Sequence, residues 1–224
     1  MKKLIITADD FGLDQAVNDA VEAGHSRGVL TAASLMVTGA AAEDAVTRAR
    51  RLPRLGVGLH LVLVDGTPAL PPGQIPDLVD SSGKFRKDAV AAGIRIFCSG
   101  AARRQAAAQA DGRRAWFAAG ILEGQFALLL RRRLDAAGIA HNDHIFGLAD
   151  SGAMTGERVR RYLEVLPEGI SEIYLHPATR QVAAYPAHYL SRGEYEALID
   201  PMVASALARR GIARLPFAGL AGKA

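Results

Sequence analysis

Lys2-Lys3-Leu4-Ile5-Ile6-Thr7-Ala8-Asp9-Asp10-Phe11-Gly12 opens the chain as a short apolar run that ends in two adjacent carboxylates and a glycine. Leu4 to Thr7 reads as a buried strand. A parallel α/β sheet delivers charged groups to the carboxyl edge of its strands, where such folds place their chemistry. Two neighbouring like charges repel unless something neutralises them. A bound cation is the usual remedy, and it divides the pair into one ligand and one base.

Working outward, the same unit recurs. Asp14 to Arg27 reads as a helix with Val17, Ala20, Val21 and Gly24 on one stripe, ended by Gly28. Thr31 to Val37 is the next strand, Ala41 to Leu52 a helix closed by Pro53, and Gly56 to Val64 a third strand. The alternation then breaks. Residues 66–85 carry Pro68, Pro71, Pro72 and Pro76 and read as a long loop, a length usually tied to function. Lys87 to Arg114 is rich in alanine and arginine and reads as helical or partly mobile. Trp116 to Ala137 reads as a long amphipathic helix. Strands are expected from Gly138 through about Ile145, from Ser171 to Leu175 and from Gly211 to Phe217. Helices are expected over Gly156–Leu166 and Glu194–Arg210. Repeated strand–helix alternation means a parallel sheet, either a barrel or an open doubly wound sheet.

Composition narrows the function classes. The chain has 224 residues, half of them hydrophobic and 22% charged, which suits one sizeable globular domain. No apolar stretch reaches membrane-spanning length, and the run before Thr7 is too short for the core of a signal peptide. Cys98 is the only cysteine, so no internal disulfide forms, and a reducing cytoplasm fits. The formal charge of +4 is carried largely by arginine clusters such as Arg131-Arg132-Arg133. These read as solvated helix faces, with an anionic or membrane-surface face as the sharper alternative. No nucleic-acid recognition motif accompanies them.

The six histidines are unevenly placed. His60 lies inside the third strand, His144 follows Asp143 near the end of a later strand, and His176 closes Glu172-Ile173-Tyr174-Leu175. All three are expected on the carboxyl side of the sheet with Asp9 and Asp10. One carboxylate and two imidazoles with open positions make a common mononuclear metal site. A further carboxylate and histidine would then serve as base and acid. Each histidine alone reads more simply as a hydrogen-bonded core residue. His141 competes for the place of third ligand, His25 suits a helix C-terminus, and His188 sits in a Tyr/Pro-rich loop.

Several of these stretches resemble one family. Thr7-Ala8-Asp9-Asp10-Phe11-Gly12-Leu13, Val17-Asn18-Asp19-Ala20 and Gly28-Val29-Leu30-Thr31-Ala32-Ala33-Ser34-Leu35-Met36 are similar to the YdjC-like carbohydrate deacetylases. So are Gly58-Leu59-His60-Leu61-Val62-Leu63, Gly66-Thr67-Pro68 and Ile75-Pro76-Asp77-Leu78-Val79. Glu172-Ile173-Tyr174-Leu175-His176-Pro177 and the segment from Tyr189 to Leu198, with Arg192 and Glu194, follow the family's later pattern. The likeness runs from Met1 to about Phe217. Asp143-His144-Ile145-Phe146-Gly147-Leu148 and Ser151-Gly152-Ala153-Met154-Thr155 point within the family to the hopanoid-biosynthesis-associated deacetylase branch.

The resemblance implies a deformed (β/α) barrel with a parallel sheet, a single domain over 1–224, with 66–115 as an insertion or loop region. It implies one divalent metal ion, Zn2+ or Mg2+, and removal of acetyl groups from N-acetylated amino sugars. Carried over, Asp10 and His60 would be metal ligands, Asp9 the general base and His176 the general acid. Arg192 would orient Asp9 or hold substrate, against the plainer reading of a surface arginine.

One departure from the family concerns the third ligand. The family shows a run of the form His-x-Asp-x-His-x-His, whereas this chain has His141-Asn142-Asp143-His144-Ile145-Phe146 and no further histidine before His176. With Asp143 kept in place, His144 becomes the third metal ligand. With His144 matched to the first histidine, the ligand position falls on Leu148, and Asp150 is the nearest substitute. Strand parity favours the second alignment and ligand chemistry the first, and on the need for a donor His144 is the expected third ligand beside Asp10 and His60.

The expected partner is an acetylated amino sugar, and the branch resemblance implies a hopanoid lipid with an N-acetylglucosaminyl head. Such a substrate calls for peripheral membrane contact. Trp116, Phe117, Ile121, Leu122, Phe126, Leu128, Leu129 and Leu130 could supply it, or could pack as a barrel helix. A soluble chitooligosaccharide is the second candidate substrate. A barrel that binds sugar or lipid without catalysis is the third reading, motivated by the altered 141–150 stretch.

Overall fold

The computed structural model describes residues 1–111 and 125–220, so Trp116, Phe117, Ile121 and Leu122 lie outside the described residues. Strand β1 (Lys2–Phe11) leads into helix α1 (Gln15–Arg27). Then follow β2 (Ala32–Leu35), α2 (Ala42–Arg51), β3 (Gly56–Leu59), α3 (Ala89–Cys98), α4 (Gly100–Asp111) and α5 (Gln125–Ala136). The second half comprises β4 (His144–Phe146), α6 (Gly156–Val165), β5 (Gly169–Leu175), α7 (Ser191–Ile199), α8 (Pro201–Arg209) and the short β6 (Ala213–Arg214).

The sheet runs β3-β2-β1-β5-β4, with β6 beside the amino end of β1, and every pairing is parallel. The fold is therefore a single α/β domain, as expected. Among the described residues its ladder ends at β3 on one side and β4 on the other, consistent with a deformed barrel rather than one closed by hydrogen bonds.

The two faces of β1 explain why its sequence is apolar at nearly every position. Leu4, Ile6 and Ala8 pack outward with Val17 and Val21 of α1, Leu163 of α6, Ile173 of β5 and Leu198 of α7. Ile5 faces the other way and packs with Ala32, Ile170 and Leu220. Full burial of one such side chain contributes about 1.5–3 kcal/mol. Above that plug the same inner face turns polar: Thr7, Asp9, Ser34, Glu172, Tyr174 and His176 share it by register. The core thus fills the amino end of the inner face and leaves the carboxyl end for chemistry.

Residues 66–85 are irregular apart from a 3-10 turn at Pro72–Gln74, as the prolines imply. They build their own small core, in which Ile75, Leu78, Val79 and Phe85 pack with Ala102 and Ala106 of α4.

Four elements differ from the sequence reading. The expected helix over Glu194–Arg210 is two helices, because Pro201 has no N–H to continue the first and instead starts the second. Asp200 caps that second helix by accepting from the Met202 N–H at 2.7 Å. Strand β3 ends at Leu59, so His60 lies just beyond it, held by its N–H to the Leu35 carbonyl at 2.9 Å. The strand expected over residues 138–145 begins only at His144, and the one expected over 211–217 shrinks to β6.

Candidate active site at the carboxyl edge of the sheet

Adjacent residues on a regular strand point to opposite faces. Asp9 and Asp10 escape that rule. The register between β1 and β2 shifts between Ala8 and Phe11, and Asp10 takes a left-handed backbone with φ 64°. A bulge of this kind re-aims a side chain at a strand end. Both carboxylates consequently reach His60. Its Nδ1 lies 3.3 Å from Asp9 Oδ1 and 3.5 Å from Asp10 Oδ1.

Ser34, at the carboxyl end of β2, ties the group together. Its hydroxyl donates to Asp9 Oδ1, and its oxygen lies 2.9 Å from His60 Nδ1. With the Ser34 proton committed to Asp9, the network assigns a proton to His60 Nδ1. On the other side of Asp9, His176 Nε2 stands 3.9 Å from Asp9 Oδ2.

The electrostatics separate the two carboxylates. Burial pushes Asp9 up, but the hydrogen bond and charge of His60, with Ser34 and His176, hold it below the usual carboxylate range. Asp10 is raised, chiefly by burial, and the neighbouring Asp9 charge adds to this against the pull of His60. Burial lowers His60, yet the bond to Asp9 and both carboxylate charges outweigh it, so the ring titrates above its ordinary value. Beneath them Glu172 is buried on β5, accepts from the Thr7 hydroxyl at 2.7 Å and is pushed up to about 7, mainly by burial.

His176 stands among Tyr174, Tyr185 and Tyr189, whose ring centroids lie 5.6, 5.9 and 5.3 Å from its own. The Tyr185 hydroxyl is buried without a hydrogen bond of normal geometry, although it lies close enough to Asp10 to influence its proton.

The sequence-expected residues therefore divide. Asp9, Asp10, His60 and His176 come together. His144 does not join them. It pairs with Ser171, which also faces Leu4 of β1, so it sits five positions below Asp9, roughly 16 Å along the strand. It also shares the outer, helix-packed face with Leu4 and is exposed. The alternatives fare no better. His141 pairs with Asp135 at 3.0 Å, Leu148 is exposed, and Asp150 is taken by the Tyr162 hydroxyl and by Arg158 at 3.1 Å. Arg192 is 73% exposed and pairs with Glu196 at 3.0 Å, as the surface reading of it implies.

Sequence reasoning missed Ser34, Tyr185 and the role of Glu172. The available signal was polarity at inward-facing strand positions: Thr7, Ser34 and Glu172 interrupt otherwise apolar or small-residue strands.

The donor set is suited to a divalent cation in part. Oxygen and nitrogen donors 3.5 Å apart are near the spacing of neighbouring ligands on one ion with bonds of about 2.0–2.2 Å. Asp10 and His60 thus fit two positions of a shell. His60 would release its Nδ1 proton on binding. Among the described residues, no three His, Cys, Asp or Glu groups form a complete cation site.

Comparison with known proteins places the chain among sugar-processing relatives by sequence and fold. Brevibacillus brevis carbohydrate deacetylase is 46% identical over 85 residues, covering 38% of this chain and 34% of that protein. Serratia marcescens chitooligosaccharide deacetylase is 40% identical over 86 residues, covering 38% and 33%. The matched stretch spans about a third of the length of these curated relatives. A crystal structure from Enterococcus faecalis V583, described as a candidate cellobiose-phosphate cleavage protein, superposes with a TM-score of 0.76 at 25% identity and covers 98% of both chains. The YdjC-like protein profile matches residues 3–111 and 93–209, and the chain belongs to that family.

Proposed function

We propose that this protein is a carbohydrate N-deacetylase, hydrolysing the acetamide of an N-acetylated amino sugar. The observation that carries the reading is the convergence of Asp9, Asp10, His60 and His176 at one sheet edge, with two carboxylates driven to opposite proton affinities. Relatives named for deacetylation of carbohydrates and chitooligosaccharides support it.

Asp9, held ionised by His60 and Ser34, is the base that takes the proton of the attacking water. His176 Nε2, on the far side of Asp9, protonates the departing nitrogen, because an amine leaves poorly as its anion. Asp10 and His60 are the two side chains that would hold a divalent ion, with water and substrate oxygen filling the remaining positions. Such an ion would polarise the acetyl carbonyl and acidify the water.

The finer substrate is an N-acetylglucosaminyl hopanoid, on the likeness of residues 143–148 and 151–155 to that branch. No helix among the described residues is long and apolar enough to cross a membrane, so contact with such a lipid would be peripheral. A soluble chitooligosaccharide is favoured instead by the likeness to the Serratia enzyme.

The test is acetate release from both substrate types, the lipid presented in vesicles, with and without added Zn2+ or Mg2+. Turnover of the lipid-linked sugar at least tenfold above that of the soluble one supports the finer reading. The reverse ratio assigns the enzyme to soluble sugars. No acetate from either, with any metal, overturns the deacetylase reading.

A further inference from the structure

Asn18, in the first turn of α1, is a fully buried amide outside the catalytic group. Its Oδ1 accepts from the Gly12 N–H at 2.8 Å. Its Nδ2 donates to the Ala41 carbonyl at 3.0 Å and to Asp44 Oδ2 at 2.8 Å. An amide has donors on its nitrogen and acceptor capacity on its oxygen, so this is the orientation that satisfies all three partners. Arg48 fixes the far end of the network, pairing with Asp44, Asp19 and Glu22 at 2.8, 2.8 and 2.7 Å.

Gly12 stands two residues beyond Asp10, and the chain between them is unusual. Asp10 has φ 64° and Gly12 φ 99°, so two left-handed residues flank Phe11. Such backbone persists only where its surroundings over-determine it. Three main-chain bonds contribute to that hold. The Leu13 N–H reaches the Asp10 carbonyl at 2.9 Å, the Met36 N–H the Phe11 carbonyl at 2.7 Å, and the Ala41 N–H the Gly12 carbonyl at 2.9 Å. The Gly12 N–H is held instead by a side chain, that of Asn18. A buried N–H stripped of its acceptor is costly, so loss of the amide favours rotation of the Phe11–Gly12 peptide toward another partner. The left-handed backbone at Asp10 is the place where the chain relaxes with it.

We propose that Asn18 is a positioning residue for Asp10: by holding the Gly12 N–H it keeps the strand-end bulge in the form that turns the Asp10 carboxylate toward His60. The geometric part of this inference stands by itself; its consequence for turnover rests on the deacetylase reading.

Crystal structures of metal-free wild type, Asn18→Ala and Asp44→Ala read the geometry directly. In the wild type Asp10 Oδ1 is expected near 3.5 Å from His60 Nδ1. In Asn18→Ala the Asp10 backbone is expected to leave the left-handed region, with its carboxylate withdrawn from His60 by more than about 1 Å, a displacement large enough to matter for catalysis. Asp44→Ala cuts the tie between α1 and α2 but leaves the acceptor for Gly12, so Tm should fall while Asp10 stays in place. On a substrate that the wild type turns over, assayed well below every Tm, Asn18→Ala should lower kcat about 10-fold to 100-fold with KM within about twofold. Asp44→Ala should match the wild-type kcat within about twofold. Should Asn18→Ala fail to fold, Asn18→Ser carries the same test, because its shorter side chain keeps a hydroxyl in the buried space but stops short of the Gly12 N–H. An Asp10 that is unmoved in the Asn18 variant, or moved with kcat unchanged, overturns the proposal. So does an Asp44→Ala protein in which Asp10 is displaced as far as in Asn18→Ala. A displaced Asp10 in a set of proteins that release no acetate, wild type included, upholds the positioning role and counts against the deacetylase reading alone.

Discussion

The least ordinary residue in the molecule is Asp10, a non-glycine with φ 64° next to another carboxylate. Left-handed backbone costs such a residue roughly 1–2 kcal/mol, less for aspartate than for most side chains. That conformation and the bulge are what let consecutive acids share one face. Asp9 and His60 then support each other over a limited pH range. The Asp9 contribution is present above its unfolded value near 3.8 and is lost as pH falls through its lowered folded value. The His60 contribution is full below 6.5 and is lost as pH rises through its raised folded value. In Asp9→Asn the His60 midpoint, followed by NMR, is expected to fall; an unchanged midpoint would mean that Asp9 does not hold its proton. Glu172 works the other way. Folded, it keeps its proton up to about pH 7, whereas the unfolded chain releases it near 4.5, so stability declines as pH rises between the two. Glu172→Gln keeps the bond from Thr7 and removes that decline. It should be nearly neutral at pH 5 and stabilising at pH 8, by up to about 3 kcal/mol, measured by denaturant melts at both pH values.

Turns and strand ends decide which of these residues meet. Gly152 has φ +81°, and a Cβ there would stand 2.2 Å from the Tyr189 ring. Gly152→Ala must move that ring and the Ser151 turn with it. The expected loss is about 2–3 kcal/mol of stability, with Tm falling accordingly; a melting curve like that of the wild type would contradict the packing described. The same scale shows how far the sequence could be read. The strand–turn–helix units through Arg51 were legible because Leu4–Ile6, Val17–Val21 and Gly28 combine apolar period with clear punctuation. Asp9, Asp10 and His176 were legible because they stand directly beyond apolar strand cores. His144 was misplaced for a physical reason. Ile139, Ala140, Ile145 and Phe146 suggest a strand running from 138, but the Asp143 side chain accepts from the Ile170 N–H and the Asn142 side-chain amide donates to the His144 carbonyl, so the ladder starts late. A shift of that size carries a side chain from the site to the far end of the sheet. Ser34 and Tyr185 were not legible because their roles depend on register and on loops that meet only in three dimensions.

At the scale of the whole molecule, the domain divides its labour along the sheet axis. The amino end of the inner face is plugged by Ile5, Ala32, Ile170 and Leu220, and the carboxyl end holds every group assigned to chemistry. The Enterococcus structure shares the fold over 98% of both chains, while the shorter matches to named deacetylases fall on only part of the chain. The most direct measurement is acetate release from an N-acetylated amino sugar by wild type and by Asp9→Asn, each confirmed folded by its melting curve. The expected result is steady turnover by the wild type and a loss of about 100-fold to 10,000-fold in Asp9→Asn. A folded Asp9→Asn protein that releases acetate as fast as the wild type would contradict it.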